Sequence, residues 1–193
     1  MPWERQFNRE KALDTAMQVF WSRGYAATSM QDLVDEMGIN RGSLYATFGD
    51  KHELFMAALR MFDEQVRQQM LARLTDEYPP REAMRQLFIT YLSKATLANG
   101  NRGCLLTNTA LELAAHDPEA ARVVARAQEE IEAFFRSRIE AASVAGDIVS
   151  AVPPGELARG LLATLLGLMV LIRSRPDPSL LQSVVDDAMR RLD

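Results

Sequence analysis

The sequence predicts an all-α protein with nine helices, and two observations support this fold class. Apolar residues recur at helical spacing along nearly the whole chain, as at Met30, Leu33, Val34 and Met37, and runs that alternate apolar with polar residues are absent. Clusters of proline, glycine and asparagine, such as residues 153–155, divide the chain into helix-length segments. The expected helices are residues 5–23, 29–37, 41–47, 51–75, 81–98, 103–115, 118–143, 155–175 and 178–192.

The first two predicted helices have a recognisable apolar face and a recognisable start. Leu13, Met17 and Phe20 form one apolar stripe on the first helix. Thr28 and Gln31 have the spacing of a capping box, in which the threonine hydroxyl accepts from the first turn and the glutamine reaches back. The second helix is therefore expected to begin at residue 29.

The second and third predicted helices together have the length and turn of a helix-turn-helix. Gly38 lies where a left-handed residue would end one helix, and Asn40 can cap the next. Residues 50–53 form a second candidate capping box and begin the fourth helix. In a helix-turn-helix the second of the two helices can enter the major groove of DNA.

The third helix exposes small and hydroxyl-bearing residues when Leu44 faces the core. Gly42 and Ala46 then lie on the opposite face, where their lack of bulk allows close approach to base edges. Ser43 and Tyr45 flank that face and offer hydroxyl groups to phosphates. Small residues and a tyrosine are also ordinary on an exposed helix, so this face alone does not establish DNA binding.

Charge supports DNA binding locally but not in bulk. Residues 1–60 contain seven Lys and Arg against eight Asp and Glu, a net charge of −1. Between Glu36 and Asp50, however, there is no acidic residue and one cation, Arg41. Lys51 adds a second cation directly after this window, and the backbone amides near Thr28 and Ser29 could hold a phosphate at a helix start.

Residues 24–25, 28–30, 38–45, 48 and 50–55 resemble the N-terminal domain of the TetR/AcrR-type transcriptional regulators. The resemblance covers about residues 6–66 and implies a nine-helix fold, a DNA-binding domain at 6–66 and a ligand-binding and dimerisation domain at 67–193. It implies a dimeric repressor in the cytoplasm that binds a double-stranded DNA operator and a small-molecule inducer. The implied DNA-contacting residues are Thr28, Ser29, Asn40, Arg41, Gly42, Ser43, Tyr45, Ala46, Thr47 and Lys51. Since many relatives carry an aromatic residue or histidine at Ala46 and Thr47, the base preference is not inherited.

The last two predicted helices are candidates for a dimer interface. The helix at 155–175 is apolar nearly all round, and the helix at 178–192 has a broad apolar stripe, so one chain is not expected to cover both. A core formed within one chain is the alternative. The expected interface residues are Leu161, Leu165, Leu168, Met169, Leu181, Val185 and Met189.

Aromatic residues and methionines in the middle of the chain are candidates for an apolar ligand pocket. At helical spacing such residues also form ordinary cores, so the ligand class stays open. The candidate residues are Phe62, Met84, Phe88, Tyr91, Cys104 and Phe134.

Cys104 is also a candidate oxidant or electrophile sensor. It follows Arg102 at a predicted helix start, where the positive end of the helix dipole would lower the pKa of the thiol. Residues 103–106 resemble the corresponding stretch of the electrophile-sensing branch of the family. The alternative is that Cys104 is a small buried apolar residue.

Composition and motifs exclude several other classes. The single cysteine cannot form an internal disulfide, and the chain start lacks the apolar stretch of a signal peptide, so a cytoplasmic protein is expected. The longest uncharged apolar stretch, residues 160–172, is too short to span a bilayer, and no membrane association is expected.

Chemical motifs are also missing from the sequence. Two histidines and one cysteine far apart do not suggest a metal site, and no glycine-rich phosphate loop or catalytic triad is recognisable. We expect no cofactor and no enzymatic activity. The alternative to a regulator is a helical small-molecule carrier or partner-binding protein without DNA function.

Overall fold

The computed structural model describes residues 7–95 and 102–193, and within these residues every regular element is a helix. The elements are α1 (Arg9–Arg23), α2 (Met30–Met37), α3 (Arg41–Phe48), α4 (Lys51–Phe62), a π-helix (Asp63–Gln68), α5 (Gln69–Glu77), α6 (Pro80–Ala95), α7 (Leu105–Glu112), α8 (Pro118–Ala145), α9 (Pro154–Ser174) and α10 (Pro178–Arg190). Since α4, the π-helix and α5 follow each other without a break, they form the one helix predicted at 51–75. The all-α, nine-helix prediction is confirmed for the described residues; positions 5–6 and 96–98 of the predicted helices lie outside them.

The chain divides into two compact units, the first ending at Val66 and the second beginning at Arg67. In the first unit α1 packs against α4 and α2, and α2 contacts α3. Its core centres on Phe20, whose ring lies edge-on to Phe55 at 5.1 Å between centroids. Leu33 and Leu44 are fully buried and fix α2 and α3 on this core.

The start of α2 differs from the predicted capping box by one residue. Ser29, not Thr28, is the cap, and its partner is Asp32, not Gln31: the Asp32 backbone N–H donates to the Ser29 hydroxyl at 3.1 Å, and the Ser29 backbone N–H donates to the Asp32 carboxylate at 2.8 Å. The Thr28 hydroxyl donates instead to the Gly24 carbonyl at 2.6 Å. Because α2 begins at Met30, Ser29 is the residue directly before the helix, and Thr28 lies one residue too early to cap it.

The other predicted helix ends in this region are confirmed. Gly38 is left-handed at φ 64°, and the Asn40 side chain accepts from the Ser43 backbone N–H at 2.7 Å. Asp50 and Glu53 form the second capping box, at the start of α4.

In the second unit α8 packs against α6, α7 and α9, and α10 packs against α6 and α9. A buried ion pair joins the beginning of this unit to α8: the Arg67 guanidinium, 1% exposed, donates to the Glu130 carboxylate at 2.5 Å. Arg126, one turn earlier on α8, donates to the same carboxylate at 2.9 Å. The Glu130 carboxylate therefore accepts hydrogen bonds from two arginines.

Helix α9 is not buried on all faces, and most of the predicted dimer residues pack within their own chain. Six of those seven are core residues of their own chain: Leu161, Leu165, Leu168, Met169, Leu181 and Val185, each at most 2% exposed. The seventh, Met189, is half-buried. The outward face of α9 carries Ala163, Gly167 and Val170, which are exposed, and Leu166, which is half-buried. The six buried residues therefore offer almost no surface to a second copy, whereas Met189 keeps part of its surface exposed.

Helix α9 is also longer than the uncharged apolar stretch at residues 160–172. Its 21 residues have a window of mean hydropathy 1.7, so by length and composition alone this helix could cross a membrane; it is the one such helix among the described residues. In this structure α9 packs against α6, α7, α8 and α10 and leaves one face exposed.

Candidate nucleic-acid interface

Helix α3 presents one apolar face to the first unit and one small, polar face to solvent. Leu44 and Phe48 are buried. Arg41, Gly42, Tyr45 and Ala46 are exposed, and Ser43 and Thr47 are half-buried. The exposed face has little bulk at Gly42 and Ala46, so the α3 backbone can come close to a flat or grooved partner.

Three cations near α3 lie over aromatic rings. The Lys51 ammonium is 4.3 Å from the centroid of the Tyr25 ring, the Arg9 guanidinium carbon 5.4 Å from that of Phe48, and the Arg41 guanidinium carbon 5.8 Å from that of Tyr45. Arg9 was not among the residues predicted from the sequence, because its position at the start of α1 gives no hint that it lies beside the last residue of α3.

Two of the three carboxylates of α2 are paired with an arginine. Arg23 at the end of α1 contacts Asp32 at 2.8 Å and Glu36 at 2.7 Å. Hydrogen bonds from the Ser29 hydroxyl and backbone N–H, with a smaller contribution from Arg23, hold the pKa of Asp32 below its ordinary value. The adjacent guanidinium compensates the charge of these two carboxylates and reduces the negative potential near α3.

Two of the predicted contact residues have side chains that form hydrogen bonds within the protein. Thr28 is 1% exposed and its hydroxyl is bonded to Gly24, so it does not present that group to a partner. The Asn40 side-chain oxygen is occupied in capping α3. Ser29 is exposed at the start of α2, where its hydroxyl donates to Asp32. What remains accessible is centred on Arg41, Tyr45 and the start of α4.

The residues predicted to line a ligand pocket are core residues. Met84, Phe88, Tyr91 and Phe134 are buried in the second unit, where Phe88 and Phe134 both contact the Phe135 ring at 5.8 Å between centroids. Phe62 belongs to the first unit and packs edge-on against Trp21 at 4.9 Å. Four of these five residues therefore lie in the core of the second unit, and Phe62 lies in the core of the first.

A small cavity lies beside Cys104, between α7, α8 and α9. It has a volume of about 10 Å³ and apolar walls that include Leu106, Ile131 and Met169. The Thr107 hydroxyl at its edge donates to the Met169 sulfur at 3.0 Å. A cavity of this size has room for about one water molecule.

The structure corrects the expected acidity of Cys104. The residue is 3% exposed, and burial raises the pKa of its thiol above the ordinary value. Backbone N–H groups of Thr107 and Leu106 at the start of α7 act in the opposite direction but do not outweigh burial. The helix-start position was predicted, but the side chain is turned into the core.

We therefore expect slow reaction of Cys104 with thiol reagents at neutral pH. A raised pKa leaves little thiolate, so the folded protein should react with 5,5′-dithiobis(2-nitrobenzoate) at least about tenfold more slowly than the unfolded protein in guanidinium. Cys104→Ser provides the blank, because the chain has one cysteine. Equal rates in the folded and unfolded protein would contradict the burial of this thiol.

Metal binding finds no support in the described part of the chain. Within it, no three His, Cys, Asp or Glu side chains group closely enough to hold a metal ion.

Both units match known sequence families. Residues 12–62 match the family described as bacterial regulatory proteins, tetR family, and residues 80–187 match the tetracyclin repressor-like C-terminal domain. The HTH-type transcriptional regulator YezE of Bacillus subtilis (strain 168) is 31% identical over 190 residues, 98% of each chain. The HTH-type transcriptional repressor ComR of Escherichia coli (strain K12) is 34% identical over 108 residues, 55% of this chain and 51% of that protein.

Solved structures of transcriptional regulators also match this chain over nearly its full length. A cysteine mutant of the TetR family transcriptional regulator CifR, complexed with 26-bp double-strand operator DNA, has a TM-score of 0.83 and 31% identity, with 100% of each chain covered. Reduced NemR of E. coli has a TM-score of 0.83 at 17% identity, over 95% of this chain and 97% of that one. The second likeness shows the shared fold alone.

Proposed function

The chain belongs to the TetR family of bacterial regulatory proteins, and from this premise we propose that it is a ligand-responsive transcriptional repressor that binds a palindromic operator as a homodimer. The observation that carries the proposal is the exposed face of α3, which combines small residues with Arg41, next to Lys51 at the start of α4. Among the residues that the structure describes, no carboxylate pairs with either cation. The proposal places the protein in the cytoplasm with its DNA and assigns it no catalytic activity and no cofactor.

In this proposal α3 enters the major groove. Gly42 and Ala46 lie against the base edges, where only small side chains leave room. Arg41 binds a guanine edge or a phosphate, and Tyr45 and Lys51 bind phosphates. Ser43, Thr47 and the exposed Ser29 at the start of α2 supply further hydroxyl and backbone contacts. Phosphate contacts fix the position of α3, and the base contacts select the sequence.

The outward face of α9 is the proposed dimer surface, in place of the residues predicted from the sequence. Ala163, Gly167 and Val170 expose an apolar stripe that polar residues do not interrupt, and Leu166 borders it. Small residues at this spacing let a second helix approach closely. A two-fold axis at this stripe would give a dimer with two copies of α3, as a palindromic operator requires.

The cavity beside Cys104 is the proposed entry point for an inducer. At about 10 Å³ it cannot hold a drug-sized molecule as it stands. A ligand must therefore prefer a conformation in which α7, α8 and α9 separate, and binding shifts the population toward that conformation. Its apolar walls favour a predominantly apolar ligand.

Operator selection tests the proposal directly. Purified protein is incubated with random DNA duplexes, and the bound fraction is sequenced. We expect an enriched palindrome, weakened binding by Arg41→Ala, and unchanged binding by Arg122→Ala, which removes an exposed arginine on α8. No enriched sequence at low salt would contradict a repressor and favour the helical carrier.

A further inference from the structure

We propose that Tyr25 is a positioning residue for DNA binding: its ring holds the Lys51 ammonium at the DNA-facing start of α4 without neutralising it. The inference rests on the proposed function and concerns how one of its phosphate-binding cations is prepared. The Lys51 ammonium lies 4.3 Å from the Tyr25 ring centroid, within the range of a cation–π interaction.

The Tyr25 ring is itself held in place by two buried aromatic residues. Phe55 lies edge-on to it at 4.9 Å between centroids, and Phe20 stacks on it at 6.2 Å with an interplanar angle of 23°. Both phenylalanines are at most 1% exposed. The ring is thus part of the core on one side and a platform for a cation on the other.

The acidic neighbours of Lys51 are engaged elsewhere. The Glu53 backbone N–H donates to the Asp50 carboxylate at 2.8 Å, and the Asp50 backbone N–H donates to the Glu53 carboxylate at 3.0 Å. Within the described residues no ion pair joins Lys51 to a carboxylate. Arg23 shows the contrast, since two carboxylates bind it and a phosphate would have to displace them.

An aromatic ring and a carboxylate differ in how much of the lysine's positive charge they leave available to a DNA phosphate. Lysine carries its charge on a flexible four-carbon stem, and ordering that stem on binding costs entropy. The Tyr25 ring lowers this cost in advance and leaves the full positive charge available to a phosphate. Arg41 over Tyr45 and Arg9 over Phe48 repeat the arrangement in the same unit.

The test is a double-mutant cycle with Tyr25→Leu and Lys51→Met, measured by fluorescence anisotropy on the selected operator over a range of salt concentrations. We expect Tyr25→Leu to weaken binding about two- to fivefold when Lys51 is present and to have no effect when Lys51→Met is present. Lys51→Met should reduce the salt slope by about one, and Tyr25→Leu should leave it unchanged. Tyr25→Phe, which keeps the ring face, should restore binding.

A measurement without DNA separates the ring contact from folding. In the free wild-type protein the Lys51 ε-methylene protons should show an upfield NMR shift from the Tyr25 ring current, retained in Tyr25→Phe. Its absence in the wild type would overturn the inference even if Tyr25→Leu fails to fold. Equal weakening by Tyr25→Leu in both Lys51 backgrounds would also overturn it, whereas a wild type that binds no operator would refute the proposed function instead.

Discussion

Gly167→Arg is expected to convert the proposed dimer to monomers and to weaken operator binding about 100-fold or more. Gly167 lies at the centre of the outward face of α9, where a Cβ atom would meet nothing within 4 Å. The fold of one chain therefore accepts the new side chain, but a guanidinium between two apolar stripes would be desolvated without a partner. A monomer contacts one half-site and loses the gain in affinity from binding two at once.

Sedimentation equilibrium and anisotropy on the selected operator measure the two effects. Val149→Arg is the matched control, because Val149 is 82% exposed in the loop before α9 and lies outside the proposed interface. It should leave both mass and affinity unchanged. A Gly167→Arg protein that still has the mass of a dimer would show that the two chains meet on another surface.

Glu130→Gln is expected to lower the free energy of unfolding by about 2–3 kcal/mol, because it removes the carboxylate that faces a buried guanidinium. Arg67 is 1% exposed, so water cannot replace the lost charge there. Glu130 is 35% exposed, which places the expected loss at the lower end for a buried pair. Urea unfolding at neutral pH measures it, and Glu129→Gln, an exposed neighbour on α8, is the control.

The same pair predicts how stability responds to acid. Burial raises the pKa of Glu130, but hydrogen bonds from Arg67 and Arg126 outweigh it, so the pKa lies below its ordinary value of 4.5. The folded state therefore binds this proton more weakly than the unfolded state. Its contribution to stability is complete above about pH 4.5 and is lost as the pH falls through the folded-state pKa. Wild type and Glu130→Gln should converge in stability at acidic pH; a constant difference would contradict the pairing.

The helices and the helix-turn-helix could be predicted from the sequence because local signals determine them. The apolar period of Leu33 and Leu44, the glycine at 38 and the cap at Asn40 are all short-range features. The sequence does not distinguish Thr28 from Ser29 as the cap of α2, because the two residues are adjacent and equally suited to the role. The helix begins at Met30, so Ser29 is the cap, and the Thr28 hydroxyl donates to the preceding Gly24 carbonyl instead.

The features that the sequence does not predict depend on packing between residues far apart in the chain. The apolar character of α9 indicates burial, but not which face meets its own chain, so Leu165 was assigned to the interface although it is fully buried in the core. The small residues Ala163 and Gly167 were an available signal for the outward face. The acidity of Cys104 was misjudged for a related reason: the dipole of α7 is a local property, while the burial that raises its pKa comes from distant helices.

The π-helix at residues 63–68 has a consequence for comparing this chain with its relatives. Each π-helical turn holds about one more residue than an α-helical turn, so this segment contains an extra residue relative to an uninterrupted α-helix. Relatives that are α-helical throughout should need a one-residue gap between Phe62 and Gln69 when aligned. An alignment that omits the gap would shift Arg67 out of register and hide the counterpart of its ion pair with Glu130.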